Sequence, residues 1–127
     1  MARVLVVDDN AGVRGAVRRS LAGLGHDIQD VPDGADALRL LEVSSFDLVI
    51  TDAYMASLDG MELLARIQQR GIDVPVVVMS GGGFVAREDV LALARACGAV
   101  ATLEKPFTPR QLRTVVESLL KRRPTSG

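Results

Sequence analysis

Three aspartates, a serine and a lysine stand where apolar runs of the chain give out. Asp8 and Asp9 follow Val4-Leu5-Val6-Val7, Asp52 follows Leu48-Val49-Ile50-Thr51, and Ser80 follows Val76-Val77-Val78-Met79. Lys105, with Pro106 behind it, closes the short run Thr102-Leu103-Glu104. If these runs are parallel strands, all five polar groups meet at one edge of one sheet. Three carboxylates cannot share that space unaided, since two like charges roughly 4 Å apart repel by about 4 kcal/mol at an effective dielectric near 20. Lys105 offsets one of them. A hard divalent cation offsets the rest, and an all-oxygen set with no His or Cys nearby selects Mg2+, or Mn2+. Mg2+ takes one or two carboxylates and leaves room for phosphate oxygens, so the pocket suits a phosphoryl group. A carboxylate can itself be the nucleophile and carry that group as an aspartyl phosphate. Asp52, central on the sheet edge and apart from the Asp8-Asp9 pair, is the candidate acceptor. Lys105 and the cation would then offset developing charge while the Ser80 hydroxyl donates to a phosphoryl oxygen. Each piece has an ordinary reading taken singly: Asp-Asp as a helix cap, Lys-Pro as a turn, Ser before glycines as a loop. Their joint occurrence at four strand ends carries the inference.

The elements that must position these groups alternate between strand and helix five times. The run 3–7 leads into a helix expected from Ala11 to Leu24, with Val13, Val17, Leu21 and Leu24 on one stripe, Asn10 as N-cap and Gly25 as stop. A strand from Asp27 to Val31 precedes the turn Pro32-Asp33-Gly34, and a helix from Ala35 to Val43 turns Leu38 and Leu41 inward. The strand 48–51 is followed by a loop to Asp59-Gly60. A third helix carries Met61, Leu64 and Ile67 and ends at Gly71. Pro75 opens the fourth strand, and Gly81-Gly82-Gly83 break the chain after it. A fourth helix is expected from Ala86 to Cys97, with Gly98 as its cap. Thr108 caps the fifth helix, Pro109 takes its first position, and Leu112, Val115, Val116 and Leu119 point inward. This alternation predicts an α/β, doubly wound, three-layer fold with a parallel sheet, whose ligand site lies beyond the carboxyl ends of the strands.

Bulk properties narrow the class further. At 127 residues the chain is one domain, and 48% hydrophobic residues with few aromatics suit a sheet buried on both faces. A net charge of −1 argues against nucleic acid or an anionic membrane as partner. The single Cys97 cannot form an internal disulfide, and its setting reads as a small buried hydrophobe rather than a reactive thiol. No apolar stretch approaches the roughly 20 residues of a membrane span. The first strand begins almost at Met1, so no leader is expected and the expected compartment is the cytoplasm. His26, the only histidine, lies far in sequence from the acids and reads as surface or structural. The basic tail reads as a solvated helix end, or as the stub of a linker.

At this point the residues resemble a known family. Val4-Leu5-Val6-Val7-Asp8-Asp9, then Asp52 with Met55 and Asp59-Gly60 behind it, then Met79-Ser80-Gly81, then Gly98-Ala99 leading to Lys105-Pro106-Phe107, are similar to a two-component response-regulator receiver domain, from about Arg3 to Leu120. The resemblance implies a flavodoxin-like sheet of five strands in the order 2-1-3-4-5 with five helices. It implies Mg2+-dependent phosphotransfer to Asp52 from a histidine kinase or histidine phosphotransfer protein. Asp9 and the backbone carbonyl of Tyr54 would join Asp52 on the metal, with Asp8 acting through water, and the Lys105–Pro106 bond would be cis. Phosphorylation would draw Ser80 and Lys105 towards Asp52 and bias a protein-binding face formed by the fourth helix, last strand and fifth helix.

On this reading residues 1–121 are the receiver and 122–127 a short basic tail. Only Lys121 to Gly127 follow the output face, so a stand-alone receiver is expected, a monomer or weak homodimer with no nucleic-acid or membrane partner. It is expected to catalyse only its own phosphorylation and dephosphorylation. A phosphatase or phosphotransferase acting on a small substrate fits less well: position 54, where such enzymes carry a second acid, is Tyr, and there is no room for a cap insertion. An interaction module that is never phosphorylated would not need so costly an acid cluster. The chain departs from the family at four places. Thr102 stands where a Tyr or Phe is usual, and Ala56 replaces Pro after Met55. Tyr54 is expected either to overhang the pocket and slow water attack or simply to be exposed, a choice that the dephosphorylation rate of a Tyr54→Asn variant decides. The segment from Ser80 to Lys105 is a few residues longer than usual, and its glycines offer the switch another place to reside.

Overall fold

A computed structural model of the chain describes residues 2–55, 58–81 and 87–122. Its elements are β1 (Arg3–Val7), α1 (Ala11–Leu21), β2 (Asp27–Val31), α2 (Gly34–Val43), β3 (Leu48–Asp52), α3 (Gly60–Gln69), β4 (Val76–Ser80), α4 (Arg87–Ala96), β5 (Ala101–Glu104) and α5 (Pro109–Arg122). The five strands form one parallel sheet in the order β2-β1-β3-β4-β5.

Strand periodicity divides the core in two. Leu5, Val7, Val49, Val76 and Val78 face one side and pack with Ala37, Leu38 and Leu41 of α2, Leu63, Leu64 and Ile67 of α3, and Ala94 of α4. Val4, Val6, Leu48, Ile50, Val77, Met79 and Leu103 face the other and pack with Val17 and Leu21 of α1 and Leu112, Val116 and Leu119 of α5. This is why the central strands read as continuous apolar runs rather than alternating ones. Each fully buried Val, Leu or Ile contributes about 1.5–3 kcal/mol, and Val4–Val7, Leu48–Thr51 and Val77–Met79 of β1, β3 and β4 have no measurable exposure.

The helix starts follow the capping residues. Asn10, Asp33 and Asp59 each accept the backbone N–H three residues on, at Val13, Asp36 and Glu62, and Thr108 accepts from Gln111 at 3.1 Å. The ends differ from the sequence-based expectation. α1 stops at Leu21 rather than Leu24, because Gly23 and Gly25 take left-handed φ of 84° and 82° and the chain leaves the helix before the stripe is complete. Leu24 is consequently exposed. Ser80 and Asp52 are the last residues of their strands rather than the first beyond them, and α4 runs Arg87–Ala96, with Ala86 outside the described residues. Cys97 is half-buried against the α2–α3–α4 side of the core. α5 runs through Arg122, so the expected tail lies almost wholly outside the described residues. His26 is structural: its ring is largely buried and its Nε2 lies 3.0 Å from Glu117 Oε1, tying the start of β2 to α5.

Candidate functional site

The carboxyl ends of β1, β3, β4 and β5 lie side by side, with Val7 opposite Thr51, Asp52 opposite Met79 and Ser80 opposite Glu104. One carboxylate oxygen from each of Asp8, Asp9 and Asp52 lies within 4.8 Å of the others. Lys105 Nζ donates to Asp8 Oδ2 at 2.9 Å and lies 3.1 Å from Asp52 Oδ1. The sheet thus brings together four of the five side chains that the spacing singled out. The fifth, Ser80, is one position beyond the partner of Asp52 on β4, and its carbonyl accepts the Lys105 backbone N–H at 2.8 Å.

The three acids differ in environment. Asp8 is buried, with Oδ1 accepting the Asn10 N–H at 2.9 Å and Oδ2 bound to Lys105. Asp9 is exposed and Asp52 intermediate. Burial raises the Asp52 carboxyl above the ordinary carboxylate range; the Lys105 charge opposes this, the Asp8 charge adds to it, and the net direction is upward. Burial works to lower Lys105, but its hydrogen bond to Asp8 and the charges of Asp52 and Asp8 prevail, so the ammonium is held charged above its usual range. Ser80 Oγ is buried with no hydrogen-bond partner among the described residues, and such a group costs about 1–3 kcal/mol unless something binds it.

The backbone around Asp52 is held by close packing. Thr51 Oγ1 donates to the Asp52 carbonyl at 3.0 Å. A Cβ on Gly60 would come within 1.9 Å of that same oxygen, so only glycine lets α3 begin against the end of β3. At the other wall, a Cβ on Gly81 would meet the Lys105 stem at 3.2 Å. The Lys105–Pro106 peptide is cis, as expected. Tyr54 has a half-exposed side chain, and Thr102 Oγ1 accepts from Arg95 Nη2 at 3.0 Å. Ala56, Gly82 and Gly83 fall outside the described residues.

The donor set fits a hard divalent cation: three carboxylates converge with no nitrogen or sulfur ligand among them. One contact was not read from the sequence. Arg14 Nη1 donates to the Asp8 carbonyl at 2.7 Å. The signal was faint: a charged residue one turn into α1, whose partner on β2 lies 16 residues away.

Comparison with known proteins agrees with this geometry. The response regulator receiver domain profile matches residues 4–117. A response regulator named MprA from Mycobacterium sp. (strain KMS) is 37% identical over 120 residues, which cover 94% of this chain and 51% of that protein. The chain therefore spans about half the length of the curated relatives it matches. The receiver domain of NtrX from Brucella abortus superposes with a TM-score of 0.86 at 32% identity, covering 94% of this chain and 99% of that one. The chemotaxis protein CheY4 of Vibrio cholerae gives 0.82 at 27%, covering 94% and 98%. Among the described residues no helix is long and apolar enough to cross a membrane. The chain belongs to the response regulator receiver domain family of two-component signalling.

Proposed function

We propose that Asp52 is the phosphoacceptor of this receiver and that Asp9, Asp52 and the backbone carbonyl of Tyr54 hold Mg2+, with Asp8 acting through water. An Asp52 carboxylate oxygen attacks the phosphorus of a phosphohistidine. The P–N bond breaks, its electron pair returns to the imidazole, and the imidazole takes up a proton. Bound among these oxygens, Mg2+ would neutralise charge on the transferring phosphoryl group. Lys105 neutralises a further share and releases part of its hold on Asp8 as it moves towards the new phosphoryl oxygens. The Ser80 hydroxyl donates to one of those oxygens and so gains the partner it lacks.

The observation that carries this reading is the joint position of the lysine and the acids. One ammonium contacts both the buried acid and the acceptor, at 2.9 and 3.1 Å. The donor is a histidine kinase or a histidine phosphotransfer protein, which implies a cytoplasmic location. The downstream target is a protein that reads the α4–β5–α5 face, where Leu93 and Val100 are exposed. A monomer or weak homodimer suits a face of that kind. No self-catalysed step beyond phosphorylation and dephosphorylation of Asp52 is needed.

Intact mass after incubation with acetyl phosphate and Mg2+ tests the proposal, beside Asp52→Asn and an EDTA control. The expected result is one phosphoryl adduct that requires both the metal and Asp52. An adduct indifferent to either would overturn it.

A further inference from the structure

Every polar group of Asp8 has a partner. Its N–H donates to the Val31 carbonyl at 3.2 Å, its Oδ1 accepts from Asn10 and its Oδ2 from Lys105. Its carbonyl accepts from Arg14 Nη1 at 2.7 Å. The next residue, Asp9, is exposed and makes no hydrogen bond or ion pair among the described residues. The direction of the Asp9 carboxylate is therefore governed by the peptide plane that joins it to Asp8, and the oxygen of that plane is the one Arg14 grips. Arg14 is itself held: its Nε donates to Asp30 Oδ2 at 2.9 Å, and four-fifths of its side chain is buried. Arg18 reaches only the other oxygen of Asp30, at 2.6 Å, from a half-exposed position.

Resting on the metal reading above, we propose that Arg14 is a positioning residue for the metal site, a tie from β2 through Asp30 to the Asp8–Asp9 peptide. It touches neither metal nor phosphoryl group. Two donors of one rigid guanidinium span Asp30 and the carbonyl, a geometry that a single ammonium cannot reproduce. Losing such an outer support of a metal ligand typically weakens metal binding about tenfold or more.

The contrast between the two arginines tests this. Both hold Asp30, so both contribute to the α1–β2 connection, and only Arg14 reaches the metal-site backbone. Mg2+ alone is titrated into the full chain and followed by the backbone amide shifts of residues 9–12 and 53, for wild type, Arg14→Met and Arg18→Met. Far-UV circular dichroism and melting confirm that each variant is folded. The expected result is a loss of about tenfold in Mg2+ affinity for Arg14→Met, with Arg18→Met keeping the wild-type affinity. Wild-type affinity in Arg14→Met overturns the proposal, and so does an equal loss in both variants, which would make the effect one of general stability. If wild type itself binds no Mg2+, the metal reading fails and this inference with it. Should Arg14→Met not fold, Arg14→Lys carries the test, and unchanged Mg2+ affinity in that variant overturns the proposal.

Discussion

Lys105 meets Asp8 and Asp52 with one ammonium, which leaves the pocket with more negative charge than positive. That imbalance has a cost at Asp52, where burial and the neighbouring Asp8 push the carboxyl upward against the pull of Lys105. Replacing Asp52 by Asn, which keeps the shape and removes the charge, should therefore raise the melting temperature in metal-free buffer. Adding Mg2+ should stabilise wild type and not the variant. A melting temperature lowered by Asp52→Asn would contradict this charge account. Asp30 is the opposite case. Burial tends to raise its carboxyl, but the hydrogen bonds and charges of Arg18 and Arg14 outweigh burial and hold it below the ordinary range. A lowered carboxyl contributes stability that is complete above the ordinary carboxylate range and is lost as pH falls through the lowered value. Asp30→Asn should thus lower the melting temperature at neutral pH, by a margin that closes on acidification. At this scale the acids, Ser80 and Lys105 were legible because each sits at the end of a hydrophobic run. Arg14 was not, because its role depends on a strand 16 residues away that only the folded sheet brings near.

The elements position those residues through caps and close approaches more than through propensity. Gly60 is the tightest such place, since its α-carbon lies against the Asp52 carbonyl with no room for a methyl group. Gly60→Ala should cost about 1–3 kcal/mol and slow phosphorylation of Asp52, because the strand end must move to admit the Cβ. Denaturant unfolding measures the first effect and the rate of adduct formation the second; a variant unchanged in both would refute the role given to this contact. The strand and helix order was legible from Val-rich runs alternating with amphipathic stretches. The end of α1 departs from the apolar spacing, which Leu24 continues, because the two flanking glycines adopt a backbone that a helix cannot continue. The link from His26 to Glu117 spans 91 residues and leaves no trace in local pattern.

For the whole molecule, the two faces of the sheet are covered by different sets of helices. α1 and α5 cover one side, α2, α3 and α4 the other, and Asp52, the proposed acceptor, ends the central strand β3 between them. A signal from Asp52 can reach the α4–β5 face through Lys105, which follows β5 directly, and through Ser80, which ends the adjacent strand. Thr102, where an aromatic ring is usual, is tied to α4 by Arg95 instead. Phosphorylation should therefore shift backbone amides of residues 92–104 more than those of α2, as nuclear magnetic resonance of the two states would record. Shifts confined to the immediate loops would rule out this route. Substituting Leu93 or Val100 by Asp should weaken binding of a downstream protein without changing the rate of adduct formation.

The central claim is that a phosphoryl group resides on Asp52, and mapping the modified residue tests it most directly. After acetyl phosphate and Mg2+, borohydride reduces an acyl phosphate to the alcohol, so a phosphorylated aspartate becomes homoserine. The account predicts homoserine at position 52 alone, absent when Mg2+ is withheld. Homoserine at position 8 or 9, or an adduct that borohydride leaves intact, would contradict it.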